Sequence, residues 1–93
     1  MSVHVLKLQE PYFTDVVDRK KTFEIRKNDR DYKVGDILLL YLYPKPNEDK
    51  LGKIKAEITY VLKDIPQFGL MEGYCILGIK VKSVEKNPIV SLQ

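Results

Sequence analysis

Hydrophobic and polar positions alternate in short runs along this chain, and the runs predict a mainly β fold. Residues 3–8 form a first strand of β-branched and aliphatic residues, with Lys7 on the face of Val3 and Val5 and opposite His4. Pro11 stands where a first helical residue often does. Phe13, Val16 and Val17 follow at helical spacing, which predicts a short helix over 11–19. Residues 22–27 alternate cleanly. Phe23 and Ile25 fall on one face, expected to be buried; Thr22, Glu24 and Arg26 fall on the other, expected to be open and charged.

Asn28, Asp29, Arg30 and Asp31 supply turn chemistry, with Asn28 and Asp29 able to satisfy backbone donors. Gly35 suits a turn with positive φ ahead of a strand over 37–43. A loop over 44–49 follows. The next strand, 53–62, puts Ile54, Ala56, Ile58, Tyr60 and Leu62 on one face and Lys55, Glu57, Thr59 and Val61 on the other. Residues 64–73 are irregular, broken by Pro66, Gly69 and Gly73. The final strand, 74–84, sets Leu77, Ile79 and Val81 opposite Tyr74, Ile76, Lys80 and Lys82. About five strands and one helix after the first strand make an α+β fold, mainly β: a small barrel or strongly bent sheet, since closure removes exposed edges. The domain spans 1–85, and a tail over 86–93 either frays or docks through Ile89 and Val90.

Composition narrows the class. A chain of 93 residues holds one small domain, and 44% hydrophobic with 31% charged residues is a globular balance, not a disordered one. The lone cysteine, Cys75, excludes a disulfide framework or multi-cysteine zinc site and reads as a core residue. The lone histidine, His4, excludes His–Cys metal clusters and reads as a surface or packing residue. No metal or cofactor is implied. No apolar run approaches the roughly 18 residues of a membrane span, and no signal peptide is visible, so a cytoplasmic protein without a membrane partner is expected.

The net charge is only +3, but it is unevenly placed. Residues 19–33 hold seven basic residues against three acidic ones, net +4; the remainder holds nine against ten, net −1. A local basic segment is the footprint of a phosphate or nucleic-acid partner, although a solvated strand and loop can carry the same charges.

That segment also carries the most specific pattern. Lys21, Glu24 and Arg26 form a Lys-x-x-Glu-x-Arg core that resembles the ASCH-type branch of the PUA-like superfamily, without the small glycine often found just before it; Asp18 and Arg19 occupy that region. A closer resemblance is to small bacterial and phage proteins of the DUF3850 group. It rests on His4-Val5-Leu6-Lys7, Tyr12-Phe13, the stretch 21–30 ending in Asn28-Asp29-Arg30, Val34-Gly35-Asp36, and 73–78, and so covers about residues 4–80. The resemblance implies a PUA-like pseudo-β-barrel with a cleft beside the helix. It also implies a partner that is RNA or a modified nucleoside.

Two functions follow from different classes. The first is a binding module. Lys21, Arg26, Lys27 and Arg30 contact phosphates, Glu24 reads a base edge, Asn28 belongs to the turn beside them, and Lys7 either points into the cleft or snorkels along the strand edge. Tyr41, Tyr43 and Tyr60 can stack on bases or simply pack the sheet. The second is an amidohydrolase acting on an acylated nucleoside such as N4-acetylcytidine, which some ASCH-type proteins resembling this one are. Such enzymes combine a lysine, a threonine and a glutamate. Lys21 and Glu24 are then the catalytic candidates, but Glu24 stands at the threonine nucleophile position, Thr22 is out of register, and Glu72 is the nearest candidate acid. A protein partner at the 44–52 loop is a third possibility that nothing in the loop specifies.

Overall fold

A computed structural model describes residues 1–44 and 51–86. The expected loop beyond residue 44 and the tail beyond residue 86 lie outside the described residues. The elements are β1 (Val3–Leu8), α1 (Tyr12–Val17), β2 (Phe23–Lys27), β3 (Ile37–Leu42), β4 (Leu51–Lys63), a 3-10 turn (Pro66–Phe68) and β5 (Tyr74–Lys86). The strands form one sheet in the order β1-β3-β4-β5-β2. β1 runs parallel to β3, and every other pair is antiparallel. The sheet curls into a half-barrel that carries α1 after its first strand. Among the described residues no helix is long and apolar enough to cross a membrane.

The concave face holds the core. Leu6 and Leu8 of β1, Leu38 and Leu40 of β3, Ile54, Ala56 and Ile58 of β4, and Cys75, Leu77 and Ile79 of β5 are buried, and α1 adds Phe13 and Val16. These are the alternate positions the strand periodicity picks out. Burial raises the Cys75 thiol pKa, as expected for a core cysteine.

The helix is shorter than the spacing predicts. Pro11 sits at the N-cap, and Asp18 ends the last turn. Arg19 then takes a left-handed φ of 61°, a conformation that favours glycine. This turn lets the backbone N–H groups of Lys20 and Lys21 both donate to Asp15 O, at 2.9 and 3.0 Å, and so fixes where Lys21 leaves the helix.

Two face assignments are corrected. On β2, Phe23 and Ile25 are exposed (44% and 56%), while Glu24 is buried at 2%. The charged side of the strand, not the apolar one, faces inward, because cations from neighbouring positions neutralise Glu24 there. On β4, the inward series stops after Ile58. A register shift between Ile58 and Tyr60 puts Tyr60 outside at 63% exposure and packs Val61 against the core. An irregularity of this kind turns a strand's faces over. Tyr60 Cβ lies against Gly78, where a side chain would have only 3.2 Å to it. Residues 28–29 turn through backbone bonds, Asn28 N to Gly73 O and Asp29 N to Lys27 O, instead of the side-chain bonds expected.

The Val34-Gly35-Asp36 segment latches the start of the β1–β3 pair. Gly35 has φ 94°, and its N–H donates to Ile58 O at 2.8 Å. The buried Asp36 carboxylate accepts from Ser2 N at 3.0 Å, His4 Nε2 at 2.9 Å and Lys33 N at 3.0 Å. The Tyr32 ring packs on His4 with centroids 4.7 Å apart. The bonds from His4 and from the Ser2 and Lys33 amides hold the Asp36 pKa down, from 3.8 to about 2.

A lowered carboxyl pKa contributes stability that is full above the unfolded value and disappears as pH falls through the folded one. Asp36 therefore stabilises the fold above about pH 4, and its contribution is lost on the way down to about 2. Asp36→Ala is expected to cost about 2–4 kcal/mol, since the buried His4 ring and two part-buried amides lose their acceptor. Acid unfolding followed by circular dichroism should show a shallower loss of stability below pH 4 in the variant than in the parent protein.

Candidate functional site

The site lies where the half-barrel fails to close. β1 and β2 are the two edges of the sheet. Ser2 O and Leu8 O accept from Ile37 N and Tyr43 N next to β3, so alternation turns the carbonyls of Val5 and Lys7 away from β3 and toward the open side. Two arginines from the β2 side meet them. Arg26 Nη2 donates to Lys7 O at 2.7 Å, and Arg30 Nη1 donates to Val5 O at 3.1 Å. Side chains, not backbone ladders, bridge the seam.

Glu24 is the centre of the site. Its Oε2 accepts from Lys21 Nζ, and its Oε1 accepts from Arg26 Nε at 3.2 Å and forms an ion pair with Arg26 Nη2 at 3.1 Å. The carboxylate is buried while both cations are only half-buried. Removing one carboxylate from water requires such opposite charges. Lys21 also donates to Phe23 O at 2.6 Å. Its ammonium stands 5.1 Å from the Phe23 ring centroid and 5.8 Å from that of Tyr12, distances at which a cation is drawn to an aromatic face.

These groups line a cleft of about 700 Å3. Lys7, Lys20, Lys21 and Arg26 bring positive charge to it, and Asp15 and Glu24 bring negative charge. Tyr12 and Phe23 give it aromatic walls that remain exposed. The expected residues Lys7, Lys21, Glu24 and Arg26 thus converge. Lys27, Asn28 and Arg30 do not line the cleft; Arg30 instead ties the seam just described. Thr22 and Glu72 are exposed and outside it. Lys7 Nζ sits 4.7 Å from the Tyr43 ring centroid, while Tyr41 and Tyr60 stand apart from the cleft. Among the described residues no three of His, Cys, Asp and Glu are grouped as a metal site needs.

Sequence reasoning missed the aromatic walls. Alternation alone puts Phe23 in the core. Tyr12 carried a usable signal: with Phe13 and Val16 facing inward, a residue next to Phe13 on so short a helix turns outward.

The chain matches the family model "Domain of unknown function (DUF3850)" over residues 3–79. The chain belongs to the DUF3850 family. It is also 46% identical over 75 residues to the "Uncharacterized 12.9 kDa protein in GpA 3'region" of Escherichia phage P2, a match covering 81% of this chain. The chain spans 65% of that relative's length. The separated pieces of the DUF3850 resemblance have physical partners here. His4 bonds Asp36, and Lys21, Glu24 and Arg26 bond each other and the Lys7 carbonyl.

Glu24→Ala leaves two half-buried cations without their carboxylate. It is expected to lower stability by about 2–3 kcal/mol. Lys27→Ala, on the exposed end of β2, should stay within about 0.5 kcal/mol of the parent. Urea unfolding of both variants measures the difference, and equal values for the two would refute the central role given to Glu24.

Proposed function

We propose that the cleft between β1 and β2 binds RNA or a modified nucleoside, without turning it over. The observation that carries this reading is the convergence of Lys21, Glu24 and Arg26 in one cleft with Lys7, Lys20 and the exposed rings of Tyr12 and Phe23. Exposed aromatic faces suit unstacked bases, and surrounding cations suit the phosphates that connect them. Lys7 and Lys20 take the phosphate role, being exposed at the cleft rim. Arg26 keeps both N–H groups of Nη1 for a ligand, since its hydrogen bonds use Nε and Nη2.

The curled sheet with a cleft beside its helix supports kinship with the ASCH-type PUA-like domains. An RNA ligand fits a cytoplasmic protein.

The direct Lys21–Glu24 contact is the observation that favours hydrolysis of an acylated nucleoside as the second reading. Against it, both Glu24 oxygens are already engaged by cations, and the hydroxyl of Thr22 lies outside the cleft. A general base needs a free oxygen within reach of the water it activates.

Fluorescence anisotropy with a labelled single-stranded RNA octamer tests the binding reading. With about three phosphates neutralised, log K should fall with log salt at a slope of about −2. Lys20→Ala should reduce that slope by about 0.7 at unchanged melting temperature. Affinity independent of salt and of Lys20 would refute the phosphate contacts. N4-acetylcytidine incubated with the protein should remain acetylated, and release of cytidine would establish the hydrolase instead.

A further inference from the structure

The edge of β2 carries one residue whose main chain is unspent. Ile79 N donates to Thr22 O at 3.0 Å, and Asn28 N donates to Gly73 O at 2.8 Å. Both pairs therefore belong to the hydrogen-bonded set of the β2–β5 ladder, and by alternation so do Glu24–Leu77 and Arg26–Cys75. Phe23, Ile25 and Lys27 must turn their N–H and C=O groups the other way, toward the open seam. There, Phe23 O accepts from Lys21 Nζ and Lys27 O accepts from Asp29 N. Of the three, only Ile25 has neither its N–H nor its C=O bonded among the described residues.

The position is a lining position, since Ile25 borders the cleft beside Glu24 and Arg26. A strand residue presents its N–H and C=O side by side, in one direction. That donor–acceptor pair does not suit an added peptide strand. A ladder needs every second residue, and the carbonyls on either side of Ile25 are already taken. It does suit a planar heterocycle with an adjacent acceptor and donor, the arrangement on the Watson–Crick edge of a nucleobase.

We infer that the main chain of Ile25 reads the Watson–Crick edge of a base seated in the cleft, so that the site selects bases whose adjacent donor and acceptor are unblocked. This rests on the RNA reading above and adds to it the atoms that choose the ligand. Glu24, with both oxygens held by Lys21 and Arg26, then positions the strand instead of reading the base itself.

Proline offers a clean probe. The Ile25 N–H takes no part in the sheet, so Ile25→Pro removes that donor and no ladder bond, and an edge strand tolerates it. Octauridylate should bind Ile25→Pro about tenfold more weakly than the parent, the effect of one lost hydrogen bond. Ile25→Ala, which keeps the N–H, should bind at least about fivefold more tightly than Ile25→Pro. In the parent protein, N3-methylation of every uridine, which removes the imino donor, should weaken binding by a similar factor.

Two-dimensional amide NMR of the parent protein needs no variant to fold. On titration with a mixed-sequence RNA octamer, the Ile25 amide should shift and its hydrogen exchange should slow. If the amides of Lys20, Lys21 and Arg26 shift while that of Ile25 neither shifts nor gains protection, the inference is wrong and the RNA reading stands. Equal affinity for methylated and unmethylated octauridylate also refutes the inference alone. If no cleft amide shifts with the mixed-sequence octamer, the RNA reading and the inference fall together.

Discussion

A buried carboxylate cannot stay ionised without nearby positive charge, and Glu24 meets that demand with groups from both sides. Lys21 comes from the exit of α1, placed there by the left-handed turn at Arg19 and the two amides bonded to Asp15 O. Arg26 comes from two residues further along β2, on the same face. Having bonded Glu24, Arg26 reaches on to the Lys7 carbonyl of β1. Neutralising one side chain thus joins the helix exit, one edge strand and the other edge strand. The cleft is the space left around that junction.

The same economy appears at the opposite end of β1. Asp36 gathers the Ser2 and Lys33 amides and the His4 ring, and so aligns the first residues of the parallel β1–β3 pair. Parallel strands have no tight hairpin to set their register, so a side chain must do it. One carboxylate fixes where β1 begins, and the other controls how its far edge meets β2. Between them, Arg26 and Arg30 occupy carbonyls on an edge that would otherwise be free to pair with another chain.

This architecture divides the cations of residues 19–33 into different kinds of work. Lys21, Arg26 and Arg30 are committed to Glu24 and to β1 carbonyls, whereas Lys20 stands free at the cleft with Lys7. A charge count over the segment cannot make that distinction. The concentration of positive charge there serves the fold first, and the exposed lysines and aromatic rings are what it leaves uncommitted at the cleft.

Much of the fold was legible in the chain. Alternation and helical spacing located the strands and the helix to within a few residues, and the spacing of Lys21, Glu24 and Arg26 picked out residues that converge at the cleft. What it could not reveal is which side of β2 faces inward. A period of two divides a strand into two faces but labels neither. Apolar Phe23 and Ile25 took the inner label by default, because burying a carboxylate alone is costly. That cost is removed only when Lys21 is folded against the strand and Arg26 bridges to β1, contacts that exist in three dimensions alone. The faces of β4 exchange beyond Ile58 for a similar reason: a register shift is a relation between two strands and leaves no mark on the periodicity of one. The sequence by itself determined the elements, their order and the chemistry available. The tertiary structure decided which charges are spent on holding the half-barrel together and which stand free, since desolvation and pairing depend on neighbours distant in the chain.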